Sequence, residues 1–244
     1  MTDTSAEHTP AKQEPAGHTP TGHTPAGHTP AGHSPAGHTP AATPAKRSHN
    51  WRVVDIVVAA LIAVAGGVIF WAWSQGANLI SAPVNAFYPP LTGLYAGGWM
   101  IPAVLGMLII RKPGAALFCE GVAAAGELIM GSQYGTTVLI SGLLQGLGAE
   151  LVFAAFLYRK FNLPVSLLTG AGAGLFCGLN DAFMPWGWNI AYAGGDKLAY
   201  IIFTAVSGAV IAGGLSWLAT RGLARTGVLS SFASRRAATE PVFS

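Results

Sequence analysis

Glu120, Glu127, Gln145, Glu150, Asn180 and Asp181 all lie inside apolar runs. A carboxylate at membrane depth is expensive, so it normally faces a bundle interior or a wet cavity and carries a function. Glu120 and Glu127 are seven residues apart, two turns along one face of a helix. Depth separates the candidates. At about 1.5 Å per residue, Glu127 lies roughly 6 Å from the outer end of its apolar stretch. Asp181 lies at a similar depth, whereas Glu120 and Glu150 fall in the inner half. An outer cluster of Glu127, Gln133, Tyr134, Asn180, Asp181, Trp186 and Trp188 can therefore converge on one cavity. Acids beside aromatic faces are what an organic cation needs, through Coulomb attraction and cation–π contact. For Glu120 and Glu150 the competing reading is interhelical hydrogen bonding that ties helices together. For Trp71, Trp73, Trp186 and Trp188, which gather at the outer end, it is an aromatic belt at the membrane interface.

These side chains need helices to hold them, and the composition supplies the setting. The chain is 51% apolar and 9% charged, against about 25% charged for soluble domains. Apolar stretches fill nearly everything between Trp51 and Arg225. A helical span needs about 20 apolar residues, and six spans are predicted at 53–73, 88–110, 114–131, 136–158, 165–185 and 198–222. The fold class is thus an all-α integral membrane protein of six transmembrane helices. Pro89, Pro90 and Pro102 predict a late start and a kink in the second span.

Loop charges give an orientation. Lys46, Arg47, Arg52, Arg111, Lys112, Arg159, Lys160, Arg221 and Arg225 fall on one side of the spans, and Lys197 alone falls on the other. The positive-inside rule then places both termini in the cytoplasm and turns 74–87, 132–135 and 186–197 outward. The domain plan is a leader over 1–50, a membrane domain over 51–225 and a cytoplasmic tail over 226–244.

The leader holds no Val, Ile, Leu, Phe, Tyr or Trp, and a Gly-His-Thr-Pro-Ala unit recurs through His18, His23, His28, His33 and His38. Regular prolines forbid helix, and nothing there can fill a core, so a disordered segment is expected. It reads either as a metal-binding histidine tract or as a solvated tail. Cys119 and Cys177 lie in spans at different depths and read as buried thiols rather than a disulfide. Small-residue pairs recur at helical spacing: Ala59/Ala63, Gly93/Gly97, Gly142/Gly146 and Gly170/Gly174. Such pairs let helices approach closely.

Several function classes are excluded or disfavoured. No P-loop motif is present, so the chain does not bind ATP that way. All seven histidines precede Trp51, which removes a membrane Ser-His-Asp arrangement and a catalytic zinc. No nucleophile–base pair is visible, so an enzyme is not expected, and no cofactor is implied. The net charge of +3 reflects residues flanking spans rather than a nucleic-acid groove. The alternative from another class is a membrane scaffold with Gly-rich packing faces.

From Trp51 to about Arg225 the chain resembles the substrate-binding S components of energy-coupling factor (ECF) vitamin transporters. It is most similar to the YkoE type, linked to thiamine or its hydroxymethylpyrimidine precursor. The resemblance is carried by Trp51-Arg-Val-Val-Asp-Ile56, Gly67-Val-Ile-Phe-Trp-Ala-Trp73, Glu127 with Gly131-Ser-Gln-Tyr-Gly135, and Gln145-Gly-Leu-Gly-Ala-Glu150. It implies a six-helix bundle in the bacterial plasma membrane with cytoplasmic termini and a vitamin held near the outer face. It also implies a transmembrane coupling subunit and two ATPases as partners. One contact to the coupling subunit is expected through Ala-x-x-x-Ala on the first helix, here Ala59 and Ala63.

Overall fold

The computed structural model describes residues 50–243. The expected leader lies outside the described residues, apart from Asn50. Among the described residues every regular element is helical. In chain order they are α1 (Val53–Phe87), a 3₁₀ segment (Pro89–Met100) that runs into α2 (Ile101–Ile110), α3 (Ala115–Ile129), α4 (Thr137–Ala155), α5 (Leu163–Phe183), and α6 (Gly194–Ser207). A π-helical stretch (Gly208–Gly214) continues α6 into α7 (Leu215–Arg225), and a short 3₁₀ turn follows at Ala233–Arg236. Six segments thus traverse the bundle. Five are long and apolar enough to cross a membrane, at Val53–Phe87, Pro89–Ile110, Thr137–Ala155, Leu163–Phe183 and Gly194–Arg225. The third, α3, has 15 residues and reaches only about 22 Å at 1.5 Å per residue. The turns after Ile129 complete its path.

Helical spacing explains which side of α1 is buried. Asp55, Ala59, Ala63, Gly66, Gly67, Phe70, Ser74 and Ala77 fall at intervals of mostly three or four and form its inner face. Val57, Leu61, Val64 and Val68 are exposed on the outer face, the surface that a membrane protein offers to lipid. The helix does not end at residue 73. The sequence predicts an outward loop over 74–87, but those residues continue α1 through Pro83 to Phe87. Two of the polar residues that read as a loop bond across to other elements: the buried Ser74 hydroxyl donates to Glu127 (2.7 Å) and the exposed Asn78 donates to Gln133.

Close helix contacts are made at glycine. Gly67 of α1 and Gly126 of α3 face each other so closely that a Cβ on Gly126 would sit 3.3 Å from Gly67 Cα. Gly142 and Gly146 of α4 pack on Ala124 and on the Leu117–Glu120 stretch of α3. Gly170 and Gly174 of α5 lie against the Gly208 and Thr204 carbonyls, where any side chain would collide with backbone. The 3₁₀ segment is unusually long, since such runs rarely exceed a few residues. Its Gly97 N–H donates to the Ser207 hydroxyl (2.9 Å), which donates in turn to the Leu94 carbonyl (2.7 Å). One α6 side chain thereby serves backbone groups that this geometry pairs poorly.

The end of the bundle carrying the N-terminus of α1 is basic and tightly tied. Asp55 is buried between Arg52 and Lys112. The sequence predicts a simple tail after Arg225, but residues 226–243 run back across this end. Arg111 grips Glu240 with two bonds (2.6 and 2.7 Å), and Arg221 donates to the Ala238 and Glu240 carbonyls. Ser234 donates to the Ile109 carbonyl (2.7 Å), and Leu229 and Phe232 join the core.

Candidate functional site

The opposite half of the bundle holds a cavity of about 550 Å³. Its walls come from five sources. The upper part of α1 contributes Phe70 and Asn85, the 3₁₀ segment Thr92, Tyr95 and Trp99, and α3 Glu120 and Glu127. The α3–α4 turn and α4 add Tyr134, Ser141 and Gln145. The end of α5, the loop after it and the start of α6 add Asp181, Trp188, Tyr192 and Tyr200.

Each acid is held differently. Glu127 is fully buried. Its Oε1 accepts from Ser74 (2.7 Å) and Ser132 (3.2 Å), and Ser74 itself accepts from the Trp99 indole N–H (3.1 Å). Glu120, also fully buried, accepts the Ala103 N–H on Oε2 (2.8 Å). Ala103 lies in the first turn of α2, whose N–H groups lack intrahelical partners, so the carboxylate caps that helix. Asp181 is saturated: Oδ2 accepts from Tyr200 (2.8 Å) and Oδ1 from Asn180 (2.9 Å). Gln145 donates to Ser141 (2.9 Å). Three buried side-chain oxygens are left without a hydrogen-bond partner among the described residues: Glu120 Oε1, Glu127 Oε2 and Gln145 Oε1. All three side chains line the one cavity.

Aromatic rings form the rest of the wall. Trp99 meets Tyr134 edge-on at 6.0 Å between centroids, Tyr134 meets Trp188 at 5.0 Å, and Tyr95 lies 6.3 Å from Trp99. Burial pushes the Tyr134 phenol up to about 12, so it stays a neutral donor at physiological pH.

Of the residues that the sequence groups together, Glu127, Tyr134, Asp181 and Trp188 line the cavity. Asn180 stands behind Asp181 and accepts from the Trp186 indole (3.0 Å), so this pair backs the wall rather than facing the space. Gln133 is exposed and bonded to Asn78. Glu120 is the deeper member that the depth argument set aside, and its seven-residue spacing to Glu127 is the signal that joins the two; Gln145, noted only as a polar residue in an apolar run, lines the cavity as well. Trp99 and Tyr95 sit in the span whose prolines made its geometry hard to read. Glu150 is structural: it accepts from the Gly114 and Ala116 N–H groups and the Tyr158 hydroxyl (2.6, 3.1 and 2.9 Å), capping the start of α3.

The expected coupling face needs correction. Ala59 and Ala63 are both fully buried within the chain, and the Ala59 carbonyl lies 3.7 Å from Cys119 Sγ of α3. The small-residue stripe of α1 is used for the protein's own close packing against α3.

Three comparisons bear on this arrangement. Residues 54–176 match a family described as "ABC-type cobalt transport system, permease component". Among the described residues, no group of three or more His, Cys, Asp or Glu side chains is placed to hold a metal ion. Over 185 residues the chain is 35% identical to a Bacillus subtilis (strain 168) protein provisionally named HMP/thiamine permease protein YkoE, covering 75% of this chain and 90% of that one. A solved structure described as the crystal structure of an S-component of an ECF transporter superposes with a TM-score of 0.71 at 33% identity. That match covers 78% of this chain and 94% of the other.

Proposed function

Because this chain belongs to the ECF transporter S components of the YkoE family, and so is a substrate-binding membrane subunit for vitamin uptake rather than an enzyme, we propose that its ligand is thiamine or the hydroxymethylpyrimidine precursor. The observation that carries the reading is the set of three unpartnered acceptor oxygens, on Glu120, Glu127 and Gln145, lining one aromatic-walled cavity. A buried acceptor without a donor costs about 1–3 kcal/mol, and a ligand rich in N–H groups or positive charge removes that cost. An aminopyrimidine brings an amino group, and thiamine adds a permanently cationic thiazolium ring. Glu127 takes the amino group or the cation, Glu120 and Gln145 take the inner end, and Trp99, Tyr134 and Trp188 stack on the rings.

The relative's printed name points the same way, since it couples HMP with thiamine. The loop charges support both termini in the cytoplasm of a bacterial cell, with the cavity opening outward. The partners are a transmembrane coupling subunit and two ATPases, which supply the energy that this chain has no P-loop to harvest. Titration of the purified full chain with thiamine and with hydroxymethylpyrimidine tests the reading. Saturable binding at micromolar or tighter is expected for one of them, at least about −8 kcal/mol. Silence toward both refutes it.

A further inference from the structure

We infer that the cavity admits only the unphosphorylated form of its vitamin and rejects the phosphate esters. This inference rests on the preceding reading of the site. Its physical basis is the one-sided charge of the walls. Glu120, Glu127 and Asp181 all line the cavity, and no Lys, Arg or His does. Of the described basic residues, only Lys197 shares this end of the bundle, and its ammonium sits over the Phe183 ring at 4.9 Å from the centroid rather than in the cavity wall.

A phosphate monoester carries up to two negative charges and three strong acceptor oxygens, and it is normally met by Arg, Lys or free backbone N–H groups. Two of the strong donors around this cavity are already committed to its acids and their partners. The Tyr200 hydroxyl goes to Asp181 and the Trp99 indole to Ser74. The start of α4 borders the cavity, but the N–H groups of Val138 and Leu139 turn back to the Gly135 and Thr136 carbonyls. The unpartnered atoms are all acceptors. A phosphoryl group inside would find no basic countercharge and would face three carboxyl groups. A cationic amino-heterocycle finds both opposite charge and matching acceptors, and a neutral one finds the acceptors. A low-dielectric site amplifies that difference, because screening there is weak.

The test compares each alcohol with its ester on the same purified full chain: thiamine against thiamine monophosphate, and hydroxymethylpyrimidine against its monophosphate. The dissociation constant of the ester is expected to exceed that of the alcohol by 100-fold or more. A ratio of at least tenfold supports the inference, and a smaller ratio, or an ester that binds when its alcohol does not, overturns it. Silence of all four compounds refutes the thiamine reading itself and takes this inference with it. Charge as the cause is tested with E120Q/E127Q, which narrows the ratio at least threefold. A folded double variant with an unchanged ratio overturns the electrostatic basis. Where the double variant does not fold, E127Q alone is read in the same way.

Discussion

Replacing Glu127 by Gln tests an acid that the sequence assigns to the outer cluster and that lines the cavity with one oxygen unpartnered. Glutamine keeps the volume and retains an oxygen for the Ser74 and Ser132 hydroxyls, now bonded at 2.7 and 3.2 Å. What changes is the other atom. The unpartnered Oε2 becomes an amide NH₂, a donor turned toward a ligand that itself donates. The site loses a charge and an acceptor together. A hydrogen bond to a charged group contributes about 1.5–3 kcal/mol, and each 1.4 kcal/mol is a factor of ten. Ligand affinity should therefore fall between about tenfold and 150-fold. Trp99 and Trp188 line the cavity, so intrinsic fluorescence reports occupancy directly, with calorimetry as a check. The melting temperature of the ligand-free protein should hold or rise, because a buried charge without a full set of partners is removed. A variant with affinity within threefold of the parent and an unchanged melting temperature would take Glu127 out of ligand contact. Lost binding together with a collapsed melting temperature would assign the residue to the fold instead.

Glu120→Gln should weaken binding to a similar degree despite lying about 10 Å deeper along α3, because it too keeps a free oxygen in the cavity; wild-type affinity in a folded E120Q protein argues against this. Ala59→Trp should destabilise the isolated protein by about 3 kcal/mol or more through overpacking, read as a large drop in melting temperature; a stable variant that only loses its coupling subunit restores the external-interface reading. Deleting residues 226–244 should remove the buried Leu229 and Phe232, each contributing about 1.5–3 kcal/mol, and so lower the melting temperature; an unchanged melt would show that the strap is dispensable. Deleting residues 1–45, which contain no apolar side chain larger than Ala after Met1, should leave melting and affinity unchanged, and altered affinity would contradict that.

The helices were legible because a membrane writes its thickness into the sequence as apolar runs. Their ends were less so. Ser74, Gly76, Asn78, Ser81 and Pro83 have the composition of a loop, and nothing local says that Ser74 and Asn78 will find Glu127 and Gln133 on another element. The cavity was legible where depth alone decides, at Glu127, Tyr134, Asp181 and Trp188. It was not legible at Glu120 and Gln145, since depth ranks residues along the membrane normal but does not show how far a cavity penetrates. Ala59 and Ala63 make the converse point. Spacing says that a helix will be approached closely there, and only the packed bundle says that the approaching helix is the chain's own α3.

Partner saturation is what separates structural acids from reserved ones in this bundle. Glu150 receives two backbone N–H groups and a phenol, and Asp181 receives a phenol and an amide, so both oxygens of each are engaged. Glu120 and Glu127 each receive donors on one oxygen only. Leaving two such groups half-satisfied at membrane depth is unfavourable for the empty protein, and the donors held by one oxygen of each do not account for the other, unpartnered one. A ligand that brings donors and positive charge supplies the reason. The deficit in the empty state is then the source of affinity in the occupied one, and its chemistry, acceptor without donor, is the complement of an amino-bearing cation.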